Sequence, residues 1–176
     1  MFKKILIANR GEIALRILRT CRELGVKCVA IHSEIDSEAM HVKLADESVC
    51  VGPAPVAQSY NNIPSIITAA AITNAEAIHP GYGFLSENEK FVSIIEEHGF
   101  SFIGPKSEHI KLMGNKVQAK IIMQKNNITT IPGINEINNP KQIEEFGNKF
   151  GYPLILKAAS GGGGKGMRVI YNNKEI

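Results

Sequence analysis

The residues best placed to do chemistry are two lysines set about a run of glycines. Gly161, Gly162, Gly163 and Gly164 are consecutive, with Lys157 before them and Lys165, Gly166 and Met167 after. Glycines bare their backbone N–H groups and let a ligand approach closely, while lysine adds point charge, a combination that suits phosphate. A hairpin tip or linker is the plain alternative. The flanking segments Tyr152-Pro-Leu-Ile-Leu-Lys157 and Met167-Arg-Val-Ile-Tyr171 both read as strands, which favours the phosphate reading. The pattern is not that of a P-loop, which needs Gly, four residues, then Gly-Lys-Ser/Thr opening a helix. Here Ala159 replaces the first glycine, Gly166 follows Lys165 and a strand comes next. A glycine loop between two strands works as a flap over a nucleotide.

Other candidates lie upstream. Lys157 ends the apolar run Leu154-Ile-Leu156, and a lysine aimed inward there needs an anion to neutralise it. Lys116 stands early in an expected helix, where its charge opposes the helix dipole. Reaching a phosphate is one reason for it; a solvated surface lysine is the other. Arg10 and Glu12 sit at the first strand-to-helix turn, where a substrate contact and a helix-capping contact are both open readings. His79 opens the loop His79-Pro-Gly-Tyr-Gly-Phe-Leu-Ser-Glu-Asn88, which also holds Glu87. With no acid or nucleophile paired to it, His79 reads as structural or substrate-positioning. Tyr82 and Phe84 are expected to pack, and Ser86 to cap the next helix. No pair of carboxylates in the final segment resembles a magnesium site.

The elements that must hold these residues alternate. Strands are expected at 5–8, 27–32, 48–51, 75–79 and 100–103, and helices at 11–24, 63–73 and 87–98, with a short helical piece at 41–45. Ile13, Ile17, Cys21 and Leu24 mark the apolar stripe of the first helix. This cadence defines an α/β protein with a parallel, doubly wound sheet. Beyond it come helices at 107–113, 116–126 and 140–150, a strand with a turn at 128–133, and two strands flanking the glycine loop. A helix is expected to begin at Lys174. A hairpin with one helix cannot bury both its faces, so this second unit is expected to be cut short.

Composition narrows the class. Hydrophobic residues make up 44% of the 176, enough for a core, and a net charge of +3 with no dense basic block gives no footing for nucleic acid. No run approaches ~18 apolar residues, so no membrane span is expected. Cys21, Cys28 and Cys50 show no metal spacing and read as reduced, buried thiols, which points to a reducing aqueous compartment such as the cytoplasm. Asn-, Ile- and Lys-rich composition across 120–150 hints at an AT-biased genome, a plastid among them.

Ile7-Ala-Asn-Arg-Gly-Glu-Ile-Ala14, the His79–Asn88 loop, Phe102-Ile-Gly-Pro105, Leu112-Met-Gly-Asn-Lys116 and the Lys157–Met167 segment, in that order, resemble biotin carboxylase along the whole chain. The resemblance implies a Rossmann-like domain at 1–104, a helical connector at 105–130 and the incomplete beginning of an ATP-grasp lid at 131–176. It implies an ATP-grasp ligase that phosphorylates bicarbonate with MgATP and carboxylates biotin on a carrier protein. The family's phosphate-contacting lysines fall on Lys116 and Lys157, and its flap on Gly161–Gly166, with Lys165 and Met167 beside it. Asn115 replaces the usual aspartate and Lys165 the usual arginine. The family's magnesium, bicarbonate, biotin and catalytic residues are expected beyond Ile176, so none is assigned here, and the chain by itself is expected to be inactive.

Arg16-Ile-Leu-Arg19 and Ser59-Tyr-Asn-Asn-Ile-Pro64 resemble the subunit of multi-component acetyl-CoA carboxylase, which serves fatty acid synthesis. That implies biotin carboxyl carrier protein and carboxyltransferase subunits as partners, and a homodimer in the full-length form. The alternatives are a non-catalytic dimerisation or interaction domain, and the same domain of a propionyl-CoA or pyruvate carboxylase. Another ATP-grasp ligase, such as a carbamoyl-phosphate-forming enzyme, fits the His79–Asn88 motif less well.

Overall fold

The computed structural model describes residues 1–158 and 166–176. The chain forms two compact units, Met1–Lys111 and Leu112–Ile176. In the first, strands β1 (Lys4–Ile7), β2 (Lys27–Ser33), β3 (Glu47–Gly52), β4 (Ala77–His79) and β5 (Ser101–Phe102) build a sheet in the order β3-β2-β1-β4-β5. Every pairing is parallel. The inner strands are apolar nearly throughout because helices cover both faces.

Alternation along the strands divides the core. Ile5, Ile7, Cys28 and Ala77 pack with Ala14, Leu18 and Cys21 of α1 (Gly11–Glu23). Leu6, Val29, Ile31 and Ile78 point the other way, toward Ile66 and Ala70 of α3 (Ile63–Ile72) and Phe91 and Ile95 of α4 (Glu89–Glu97). A short helix, α2 (Met40–Leu44), follows β2. This is the doubly wound α/β sheet expected from the alternating elements.

Several local expectations change. The buried stripe of α1 is Ala14, Leu18 and Cys21; Ile13 and Ile17 are its half-buried shoulders, and Leu24 is the exposed C-cap. The cap of α4 is Asn88, whose Oδ1 accepts from the Phe91 N–H at 2.9 Å, while the Ser86 N–H closes a turn onto the Gly83 carbonyl. Cys21 and Cys28 are buried, but Cys50 is exposed.

The second unit holds α6 (Lys116–Lys125), α7 (Pro140–Phe150) and the antiparallel hairpin β6 (Leu154–Lys157) and β7 (Met167–Ile170). The boundary between the units falls within α5 (Ser107–Gly114). Residues 128–133 form no strand. Asn127 takes φ 58°, its N–H bonds to Gln124 O and the Ile128 N–H bonds back to Met123 O at 2.9 Å. This left-handed C-cap of α6 takes the Ile128 N–H, the first donor of the expected strand, and Pro132 supplies none. The segment at 174 forms a 3₁₀ turn, Asn173–Glu175.

Candidate functional site

In the first unit the strand order reverses between β1 and β4, the switch point where open α/β sheets place ligand contacts. Asn9, just past β1, is 2% exposed. Its amide donates to the Pro80 carbonyl at 2.7 Å and the Tyr82 carbonyl at 2.9 Å, tying down the loop that follows β4. Gly81 must be glycine there: it sits at φ +64°, and a Cβ would meet Ile13 Cγ2 at 2.6 Å and Asn9 Nδ2 at 2.8 Å. His79 Nδ1 accepts the Gly81 N–H at 3.0 Å, which leaves the ring proton on Nε2. Burial pushes the His79 pKa down, so the imidazole is neutral and fastens its own loop.

Arg10, the N-cap of α1, pairs with Asp36 and lies over the Tyr60 ring at 5.4 Å. The Tyr60 hydroxyl donates to Asp36 Oδ2 at 2.6 Å and accepts from the Ser33 N–H at 3.0 Å, while Ser33 Oγ donates to Asp36 at 3.0 Å. Burial alone would raise the Asp36 pKa, but donation from Tyr60, Ser33 and Arg10 holds the carboxyl below its ordinary value. Arg10 is therefore engaged within its own unit. Glu12 is exposed in the first turn of α1, where it favours the helix dipole, and Glu87 is exposed just ahead of the Asn88 cap. Tyr82 and Phe84, both expected to pack, are 68% and 37% exposed, although one face of the Phe84 ring stacks on Tyr60.

Asp36 and Tyr60 had no place in the sequence reading of the site, and Asn9 entered it only as part of the first strand-to-helix turn, without a role of its own. Asn9 offered a faint signal, a polar residue closing a buried strand. Asp36 offered none, because Arg10 and Tyr60 lie 26 and 24 residues from it.

In the second unit, Lys116 is the first residue of α6 and is exposed. The preceding Asn115 caps that helix, its Oδ1 accepting from Val117 N–H at 3.1 Å and Gln118 N–H at 3.0 Å. Lys157 pairs with Met167 across the hairpin, and beyond them the Ala158 N–H bonds to the Gly166 carbonyl at 2.9 Å. The two strands thus stay in register up to the roots of the glycine loop. Lys157 is exposed on the face shared with Ile155, Val169 and Met167, so it is not aimed into the apolar interior as its strand position implied. Gly166 takes φ +71°. Gly161, Gly162, Gly163, Gly164 and Lys165 lie outside the described residues. Among the described residues no group of three or more His, Cys, Asp or Glu side chains could hold a metal ion, so none of them is given a metal.

The class is set first by the two halves of the chain. Residues 1–110 match the biotin carboxylase N-terminal domain, and residues 115–176 match the ATP binding domain of the carbamoyl-phosphate synthase L chain. A Rossmann-like sheet thus leads into the start of an ATP-grasp domain. The chain belongs to the biotin carboxylase family.

Its relatives include the biotin carboxylase of Pseudomonas aeruginosa, 57% identical across 100% of this chain and 40% of that protein. The human mitochondrial propionyl-CoA carboxylase alpha chain is 47% identical across 99% of this chain and 24% of its own length. The Campylobacter jejuni biotin carboxylase, solved as a β,γ-ATP complex, matches with a TM-score of 0.92 and 51% identity over 99% of this chain and 39% of that one. A Hydrogenobacter thermophilus 2-oxoglutarate carboxylase domain, solved as a dimer with MgADP, ADP and bicarbonate, matches with a TM-score of 0.89 and 48% identity, over 99% and 39% of the two chains. The chain thus spans about 40% of the length of the curated biotin carboxylases it matches.

Proposed function

We propose that the full-length protein uses MgATP and bicarbonate to carboxylate biotin on a biotin carboxyl carrier protein, the first half-reaction of an acetyl-CoA carboxylase that feeds fatty acid synthesis. The observation that carries this reading is the hairpin, which sets Lys157 and Met167 opposite each other at the roots of the glycine loop on one open face. There the Lys157 ammonium stands in solvent within reach of an incoming phosphate, and the same reading gives Gly161–Gly164, Lys165 and Gly166 to the nucleotide as sources of backbone N–H groups and charge. Lys116 adds a second cation from the start of α6.

Magnesium enters with the nucleotide, and no step is assigned to it through residues of this chain. Catalytic groups are likewise placed outside these 176 residues, which alone are expected to lack turnover. His79 and Glu87 belong to the side of the protein that meets the non-nucleotide substrate; Arg10 and Glu12 support that side. A homodimer, carboxyltransferase subunits as partners and a reducing compartment, cytoplasm or plastid stroma, complete the proposal. It also keeps the division at 1–104, 105–130 and 131–176.

The propionyl-CoA carboxylase relative favours a second reading, in which the same half-reaction serves another acceptor. Both readings meet in one assay: bicarbonate- and biotin-dependent ATP hydrolysis by the full-length protein, then transfer to acetyl-CoA, propionyl-CoA or pyruvate in the presence of its partners. Turnover with acetyl-CoA as the preferred acceptor is expected. Absence of biotin-dependent hydrolysis would overturn the activity, and preference for another acceptor would overturn the assignment to acetyl-CoA carboxylase.

A further inference from the structure

Phe84 is a bulky residue at φ +42°, in the left-handed region where a β-carbon is crowded. Gly81 at +64° and Gly83 at +74° precede it, so a side chain enters this region at the one position of the three that is not glycine. Such a conformation persists only where its surroundings hold it, and it marks places where geometry matters to function. What holds it is Tyr60, whose ring stacks on that of Phe84 with centroids 5.3 Å apart and planes 10° apart.

Tyr60 is a firm anvil. It is 1% exposed, its hydroxyl is fixed between Asp36 and Ser33, and Arg10 lies over its ring. The loop after β4 is therefore pinned at two places, by the Asn9 amide at the Pro80 and Tyr82 carbonyls and by the Phe84 ring on Tyr60. Between and beyond these pins its outer edge, from Tyr82 to Glu87, includes the exposed side chains of those two residues and the part of Phe84, 37% exposed, that Tyr60 does not cover.

We propose that Phe84 is a positioning residue: its stacking on Tyr60 latches the loop after β4 and presents the loop's outer edge, ready-made, to the non-nucleotide substrate. This rests on the proposed function, in which the ATP contacts belong to residues 116–167 and leave the edge in the first unit to the other substrate. Pre-organising that edge spares the substrate the entropy of ordering it.

The test uses Phe84→Gly, which removes the ring and relieves the left-handed φ, and Phe84→Tyr, which keeps the ring. Hydrogen exchange at the Ser86 and Asn88 amides, which bond to the Gly83 and Leu85 carbonyls, is expected to quicken at least about tenfold in Phe84→Gly, because the latch is what closes the loop. In the full-length protein the KM for biotin should rise about tenfold, with kcat and the KM for ATP within about twofold, as loss of uniform binding requires. Phe84→Tyr should restore both readouts. Exchange and KM within about twofold of wild type in Phe84→Gly would overturn the latch, as would a parallel fall of kcat and rise of both KM values, the sign of a general loss of fold. Should the wild-type protein not turn over biotin at all, the proposed activity fails, the substrate-facing role fails with it, and the exchange result still decides whether Phe84 closes the loop.

Discussion

At the scale of single residues, Asp36 joins segments that are far apart in the chain, accepting from Tyr60, Ser33 and Arg10. Replacing it by alanine strands the Tyr60 hydroxyl in a buried site, a loss of about 1–3 kcal/mol. Urea unfolding of Asp36→Ala should show that loss, whereas a midpoint equal to wild type would mean the network adds nothing. His41 makes a second residue-scale case. It is 1% exposed, its Nε2 faces the Ile31 carbonyl at 3.4 Å, and its Nδ1 is buried with no partner in the structure. Burial depresses its pKa below the ordinary 6.5, outweighing the opposing pull of the Ile31 carbonyl and Asp36. The unfolded chain therefore takes up a proton that the folded chain refuses. Stability is full above pH about 6.5 and falls as the pH drops below it, with a slope of up to ~1.4 kcal/mol per pH unit from this group. His41→Gln should flatten chemical denaturation midpoints measured from pH 7 to 5, leaving the slope owed to His79, whose pKa burial also lowers. An unchanged slope would show that His41 is charged in the fold.

At the scale of elements, the loop after β4 is built for close approach. Gly81→Ala meets both the wrong φ and the Ile13 and Asn9 side chains, while Gly83→Ala at φ +74° meets nothing within 4 Å. The first should cost about 1–3 kcal/mol and the second nearer 1 kcal/mol, so the difference in thermal unfolding isolates the contact from the backbone strain. Equal losses would remove the close approach from the account. In the second unit, Asn115→Ala should lose about 1 kcal/mol as α6 gives up its cap, and Asn115→Asp should be nearly neutral. The inner strands β1, β2 and β4 were legible because buried parallel strands read as short apolar runs, and α7 because Asn139 and Pro140 open it and Gly151 follows its end. The stripe of α1 was misread by one position because Ala14, small enough to lie against the sheet, carries less apolar signal than Ile13. At 128–133 the β-branched run read as a strand, but the cap of α6 takes its first donor, the Ile128 N–H. Lys157 was placed at the right end of its strand and on the wrong face, since period-two alternation in a four-residue strand does not say which face is covered.

For the whole molecule, the chain forms two compact units. The Met1–Lys111 unit is a covered sheet whose switch point is closed by its own loop, and the Leu112–Ile176 unit carries the nucleotide candidates. The glycine loop was the clearest feature of the sequence, yet its neighbours Lys157 and Met167 gain their meaning only from the hairpin register that pairs them. The central claim is that this paired, open face receives the phosphates of ATP. It is tested most directly by calorimetric titration of MgATP into the full-length protein, wild type against Lys157→Ala. Because Lys157 is exposed, its removal should leave the melting temperature within about 1 °C, as surface substitutions do. The dissociation constant should weaken about tenfold or more, the equivalent of one lost charge-assisted contact of ~1.4 kcal/mol or above. An unchanged dissociation constant in a folded Lys157→Ala protein would contradict the account.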